Sequence, residues 1–323
     1  MGERCVKKDI SIQIVRICAM FSIILCHLVQ ELENNNIVAL AQFFNVGVQI
    51  FLFISGYLYG NKEIKDKKQW LKSRIKKIIF PMYLFMLILF TIQYICGIFE
   101  LKFVPIYIFN LQYFLGSTNG AGHLWFLTII LLCYFITPIL IKFRDNLKNK
   151  YALLIMCILT AATVSSFINR KLGMSLFYIL AYILGFIYSN IEEKLKFNII
   201  TVLLITLVSI VVRLSSKILF DGSILYDCII VSITQTLIAF GIFFIIRFII
   251  RKFQIGSNRI IDYWDNISFY IYLTHYMFMV GPVRTMSISN NYCINIFVTL
   301  LLSFICANVL QQINELIKKL VKL

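Results

Sequence analysis

The sequence predicts an all-α polytopic membrane protein with about ten transmembrane helices and both termini cytoplasmic. Three observations carry that prediction. Of 323 residues, 60% are hydrophobic and only 14% are charged, whereas a soluble domain carries about 25% charged residues. Ten stretches are apolar enough to cross a bilayer, whose hydrocarbon core of about 30 Å takes about 20 residues of helix. The loops between them alternate in charge: 24 of the 31 Lys and Arg fall in one set of loops and 6 in the other.

The first span, 10–30, holds Arg16 and His27. Residues eleven apart on a helix return to within about 20° of the same face, about 16 Å further along the axis. The two side chains therefore share one stripe. Ionisable groups inside a membrane normally face a bundle interior or a wet cavity, because lipid penalises them. The stretch has no A-x-A-like cleavage site and other spans follow it, so it reads as a helix and not a signal peptide. The second span, 43–60, contains Gly56 and Gly60 in a GxxxG pair with Ser55 beside them. That pattern favours close helix packing, and small residues also leave room for a long thin ligand. A basic segment follows at 61–77. It ends in Ser73-RIKKIIFPMY, with Arg74, Lys76 and Lys77 just before Pro81.

The third span is 78–100. Residues 103–115 are apolar but shorter and contain Pro105, so they read as an interfacial or re-entrant piece. The later spans are 124–141, 151–168, 174–190, 197–214, 227–246, 267–285 and 294–313. His123 and Trp125 open the fourth in Gly122-HLWFL, and His275 lies near the middle of the ninth. The tail NELIKKLVKL continues the last helix as a short basic amphipathic end.

Lys and Arg accumulate in cytoplasmic loops. The first basic set runs from Arg4, Lys7 and Lys8 through residues 61–77 to Lys318, Lys319 and Lys322. Both termini are therefore expected inside, with an even number of spans. The net charge of +16 is chiefly this topology signal, so nucleic acid is not an expected partner. The expected partners are the lipid bilayer and a polyanionic ligand at the inner face. None of the nine cysteines forms a CxxC pair. Most lie in apolar runs, where a free cysteine acts as a small hydrophobe, so neither a disulfide framework nor a zinc site is expected. Residues 1–323 read as one integral membrane domain.

Histidine is the side chain best suited to proton transfer near neutral pH. All three, His27, His123 and His275, fall within or at the rim of a span. Glu31 is one turn beyond His27 and is expected to orient or charge-stabilise it. Arg74, Lys76 and Lys77 are expected to hold phosphate through charge-assisted contacts, with Arg16 deeper on the same side. Ser55, Gly56, Trp125 and His275 are expected along the substrate path.

These motifs resemble the integral membrane acyltransferase-3 family, found among bacterial polysaccharide O-acetyltransferases. Arg16-x10-His27 resembles the family's first-helix pair. GVQIFLFISGYLYG resembles its glycine-led F-F-x-x-S-G-F/Y-L stretch, and RIKKIIFPMY its R-x-x-[KR]-[IL]-x-P-x-[YW] stretch. HLWFL resembles its H-L-W-[FS]-L segment, and ISFYIYLTH its S-x-x-[IL]-Y-L-x-H segment. The matches fall in order along almost the whole chain. Many members follow H-L-W-S-L with two acidic residues. Here Phe126-LTIILLCYF has none, which resembles the subgroup of the intercellular-adhesion polysaccharide membrane protein and the enterobacterial-common-antigen acetyltransferase.

The resemblance implies an acyltransferase that takes an acyl group, typically acetyl, from cytoplasmic acyl-CoA. It implies delivery to a hydroxyl of a cell-surface polysaccharide or lipid-linked sugar at the bacterial cell membrane. By position, His27 is then the essential acid/base residue, Arg16 its motif partner, His123 a second catalytic candidate, and Arg74 with its neighbours the CoA side. Direct transfer of this kind needs neither a metal ion nor a permanently bound cofactor. The rival reading is a carrier or exporter of a polysaccharide or small solute that uses the same polar track. A membrane-embedded partner or sensor domain is a third.

Overall fold

The computed structural model describes residues 9–32, 41–144, 147–193, 195, 197–256 and 258–321. Arg4, Lys7, Lys8, Lys194, Lys196 and Lys322 of the charge count, and Cys5, lie outside the described residues. Within them the chain is helical, and no strand occurs.

Polar residues start the long helices. The Asp9 carboxylate accepts from the Ser11 amide at 2.9 Å and opens α1, Ile10–Gln30. Asp66 does the same for α4, Lys67–Ile95, through the Gln69 amide at 2.9 Å. Asn169, Asn198 and Asn258 cap α9 (Arg170–Ile191), α10 (Ile199–Phe220) and α12 (Arg259–Met279). Each such cap contributes about 1 kcal/mol. The remaining elements are α2 (Ala41–Phe44), α3 (Gly47–Gly60), α5 (Phe103–Ile108), α6 (Gln112–Leu115), α7 (Trp125–Arg144), α8 (Leu147–Ile168), α11 (Val231–Lys252) and α13 (Tyr292–Val321). A 3₁₀ turn, Gly122–Leu124, precedes α7, and a wider π turn, Leu225–Ile230, precedes α11.

Eight helical segments among the described residues are long and apolar enough to cross a membrane. The other two expected spans differ from the sequence reading. The span expected over 43–60 breaks at Asn45 and Val46, which leaves the 14 residues of α3. The break frees backbone carbonyls that lipid could not satisfy. Ser22 Oγ donates to the Phe44 carbonyl at 2.6 Å, and the Gln235 amide donates to the Asn45 carbonyl. The span expected over 267–285 is α12, which begins eight residues earlier and ends before Gly281-Pro282. Asp262 and Asp265 depress the hydropathy of its first turns, although helix continues through them. The piece expected at 103–115 folds as the short helices α5 and α6.

The helix ends gather on two faces. On one, Arg144 donates to the carbonyls of Gly60 and Lys62 at 3.4 and 3.1 Å. There Arg247 also pairs with Glu192 at 2.9 Å and faces Asp9 at 3.9 Å. On the other, Glu31 pairs with Arg284 at 3.1 Å, and Arg170 pairs with Asp227. This is the alternation that the charge count requires, and the first face carries the basic loops. In a cysteine-less background, a membrane-impermeant thiol reagent applied to intact cells is therefore expected to label cysteines at Asn119 and Asn290. It is expected to leave one at Lys68 untouched. Labelling at Lys68 from outside would invert the orientation.

Candidate active site

Helices α1 and α12 lie side by side and run in the same direction. Near the basic face, Arg16 Nη2 donates to Asp265 Oδ2 at 2.7 Å. Gln13 Nε2 donates to Asp262 Oδ1 at 2.7 Å and to Asp265 Oδ2 at 3.4 Å. Asp265 is buried, and Arg16 is one-third exposed. An unpaired carboxylate at that depth is strongly disfavoured, so the pair fixes which faces of the two helices meet.

Eleven residues further along each helix, the same faces meet again. The His27 ring stands edge-on to Tyr276 with centroids 4.9 Å apart, and it stacks on His275 at 5.5 Å. Residues 16 and 27 are eleven apart, as are 265 and 276. Two parallel helices with equal steps keep register, so one ion pair near the basic face sets the ring contact about 16 Å away.

The third histidine arrives from a separate element. The turn before α7 carries Gly120 at φ +81° against Gly281, and Gly122 against the Tyr276 ring. A side chain at Gly120 would be strained by its backbone and crowded by Gly281. This close approach sets the His123 ring 4.8 Å from His275 and 5.0 Å from both Tyr272 and Tyr276. Tyr272 donates its hydroxyl to the His123 carbonyl at 2.7 Å, which ties the turn to α12. His123 and His275 are fully buried, and His27 is half-buried at the mouth of the cluster.

Hydrogen bonds assign the ring protons. His275 Nδ1 meets the carbonyls of Tyr272 at 2.8 Å and Ile271 at 3.2 Å. Carbonyls only accept, so Nδ1 carries the hydrogen and Nε2 keeps a lone pair. That Nε2 is buried without a partner. His27 Nδ1 meets Gln30 Oε1 at 3.1 Å. With the amide in this orientation, His27 Nε2 is likewise the basic nitrogen.

Several sequence expectations meet a different geometry. Glu31 does not orient His27; its carboxylate is taken by Arg284, and Gln30 makes the contact instead. Gly56 does not leave a passage. A Cβ there would collide with the Tyr182 carbonyl, and one at Gly185 with the Phe53 carbonyl, because α3 and α9 pack backbone to backbone. Ser55 is half-buried on the same helix. Trp125 packs on Tyr178 at 5.0 Å and Tyr113 at 5.6 Å and not on the histidine rings. The three cations expected to act together also split. Arg74 turns inward over the Tyr59 ring at 5.4 Å, and Tyr59 lies within electrostatic reach of Arg16 as well. Lys76 and Lys77 instead line a cavity of about 580 Å³ with Lys72, Ser73, Phe80 and Lys318. Among the described residues, no group of His, Cys, Asp and Glu is placed to hold a metal ion.

Residues 9–310 match the family model described as the acyltransferase domain of the acyltransferase-3 type. The chain belongs to this family. No curated protein and no solved structure matches it. The matched region takes in Arg16, His27, Arg74, His123, Asp265 and His275. The protein is thus a multi-pass membrane acyltransferase.

Asp265 is absent from the sequence reading. The signal for it was Arg16 itself, since a cation within a membrane helix calls for an acid on a neighbouring one. A double-mutant cycle of Arg16→Ala and Asp265→Ala should give a coupling of about 0.5–3 kcal/mol in unfolding stability, typical of residues in direct contact. It is measured by thermal or denaturant unfolding in detergent. Additive single-mutant effects would show that the pair does not hold α1 to α12.

Proposed function

We propose that this acyltransferase moves an acyl group, chiefly acetyl, from cytoplasmic acyl-CoA to a hydroxyl of a cell-surface polysaccharide or lipid-linked sugar. It works in the cell membrane of a bacterium. The observation that carries the reading is the half-buried His27, whose ring stacks on His275, itself against His123, in register with the Arg16–Asp265 pair.

The reaction balances with these groups. His27 Nε2 takes the proton of the acceptor hydroxyl as the oxygen attacks the thioester carbonyl carbon. The tetrahedral adduct collapses, the carbon–sulfur bond breaks, and the CoA sulfur leaves. The imidazolium returns its proton to that sulfur, directly or through His275 Nε2, which is buried with a free lone pair. His123 closes the cluster from the α7 side. General-base assistance of this kind is worth about 10²–10⁴-fold. The donor enters from the basic face. Lys76 and Lys77, with Lys72 and Lys318, attract its phosphates, and Arg74 and Arg16 mark the inward path past Tyr59.

The central test uses labelled acetyl-CoA and membranes from cells that carry the acceptor. His27→Ala and His27→Gln should both insert normally and both lower transfer by about 10² or more. The Gln variant fails because it keeps a hydrogen bond but moves no proton. Transfer by His27→Ala at the wild-type rate would remove the assignment. If wild-type protein transfers nothing from any acyl-CoA while glycan export depends on it, the carrier reading replaces this one.

A second test concerns the donor side. Replacing Lys76 and Lys77 together by Ala should raise the KM for acyl-CoA about fivefold, near the upper end for exposed charge contacts. The acceptor KM should stay unchanged. Arg74→Ala should raise the same KM if the donor passes Tyr59. An unchanged donor KM in all of these folded variants would return the segment to a topology signal.

A further inference from the structure

A second polar cavity, of about 370 Å³, opens on the face that carries few basic loops. It lies between α9, α10 and the π turn, away from the acyl-CoA entrance. Its chemistry is unusual for a membrane bundle. Arg213, about two turns before the C-terminal end of α10, is only 6% exposed, and its Nε is buried without a partner. The Tyr226 hydroxyl stands against the same guanidinium. Lys217, one turn on, lines the same cavity.

The charges there do not cancel. Arg170 is taken by Asp227 in an ion pair, which leaves both neutral as a unit. Asp221 lies exposed at the rim. Arg213 and Lys217 therefore outweigh the one remaining acid. A buried guanidinium with an unfilled donor is costly unless an acceptor meets it. Guanidinium and ammonium groups suit carboxylate and phosphate oxygens. The other walls suit a hydroxylated ligand. Tyr178 lines it with an aromatic ring, tilted against Trp125 at 5.0 Å, and Ser232, Gln235 and Asn45 line the rest.

The π turn shapes this wall. Its wider winding replaces an α turn at Leu225–Ile230 and presents Tyr226 and Asp227 to the cavity. Such π segments are rare and occur frequently at functional sites. The cavity is also tied to the histidine end. Cys26, the neighbour of His27, lies within electrostatic reach of Arg213, and Trp125 follows His123 by two residues.

We propose that this cavity is an anion-selective subsite for the acceptor, holding a carboxylate or phosphate carried on a hydroxylated unit next to the one that receives the acyl group. Its role as an acceptor subsite rests on the proposed transfer to a glycan or lipid-linked sugar. Its anion binding does not. The acceptor is accordingly acidic, and the enzyme discriminates against a neutral one.

The test measures binding to purified full-length protein in nanodiscs by calorimetry. The probes are a glucuronate-containing tetrasaccharide, its carboxyl-reduced counterpart and glycerol phosphate. The acidic tetrasaccharide or glycerol phosphate should bind about tenfold or more tightly than the reduced sugar. Whichever of the two binds identifies the anion as carboxylate or phosphate. Arg213→Gln and Lys217→Gln should each weaken that binding about fivefold or more, with acetyl-CoA affinity unchanged. Lys217→Gln serves where loss of the buried Arg213 impairs folding. Transfer from labelled acetyl-CoA to the same probe is measured separately, so binding is read independently of transfer. Binding that depends on Arg213 in a protein that never acylates the probe would uphold the anion site and remove its role in acceptance. Equal binding of acidic and reduced sugars, binding of none of the probes, or wild-type affinity in both folded variants would overturn the proposal.

Discussion

The ion pair between Arg16 and Asp265 is the constraint on which the site depends. It joins two helices far apart in sequence and fixes the rotation of each about its own axis. Everything toward the opposite face follows from that rotation. His27 meets Tyr276 and His275 because α1 and α12 are already in register near the basic face. The turn at Gly120–Leu124 then fits His123 against a surface that the pair has set. Charge is used here for alignment as much as for chemistry, and the pair need not contribute much net stability to do so.

The division of labour between the two faces follows from the same geometry. Cations gather toward the basic face and the imidazoles lie toward the other, which under the proposed function are the donor side and the acceptor side. Between Arg16 and His27, α1 turns Met20, Ile23 and Ile24 into the core. These buried apolar residues keep the polar groups at the two ends apart. A thioester carried on a long flexible arm suits such a layout, since its phosphates and its reacting carbon are themselves far apart.

Much of the fold was legible in hydropathy and charge, because lipid forces every backbone group into a helix and basic loops record orientation. The departures arose where polar residues serve tertiary contacts. Asp262 and Asp265 hid the first turns of α12. The break at Asn45 and Val46 was hidden because its carbonyls are satisfied by Ser22 and Gln235, which lie on other helices. At the site, Arg16, His27, His123 and His275 each stood out alone as polar groups in apolar surroundings. Their meeting did not, since no local pattern encodes contacts between residues 27, 123 and 275. Glu31 illustrates the converse. Its spacing from His27 fits one helix face, but a loop residue, Arg284, is the stronger partner. Gly56 and Gly185 show that a small-residue stripe read along one helix says nothing of what fills it.

The equal eleven-residue steps on α1 and α12 make the two helices a matched pair of rulers. Eleven residues over three turns give 3.67 residues per turn, close to the 3.6 of an α-helix, so each helix returns to within about 20° of its starting face. Both contacts therefore stay on the seam between the two helices. The length of chain between the charged and aromatic contacts is therefore fixed in a way that residue identity is not. A single residue inserted into either helix alone rotates the far end by about 100° and turns His27 or Tyr276 away from its partner. The same insertion made in both helices turns both far ends off the seam, since each helix rotates about its own axis. Natural variants of this chain should thus tolerate substitutions between these contacts far more readily than a change of length in either helix.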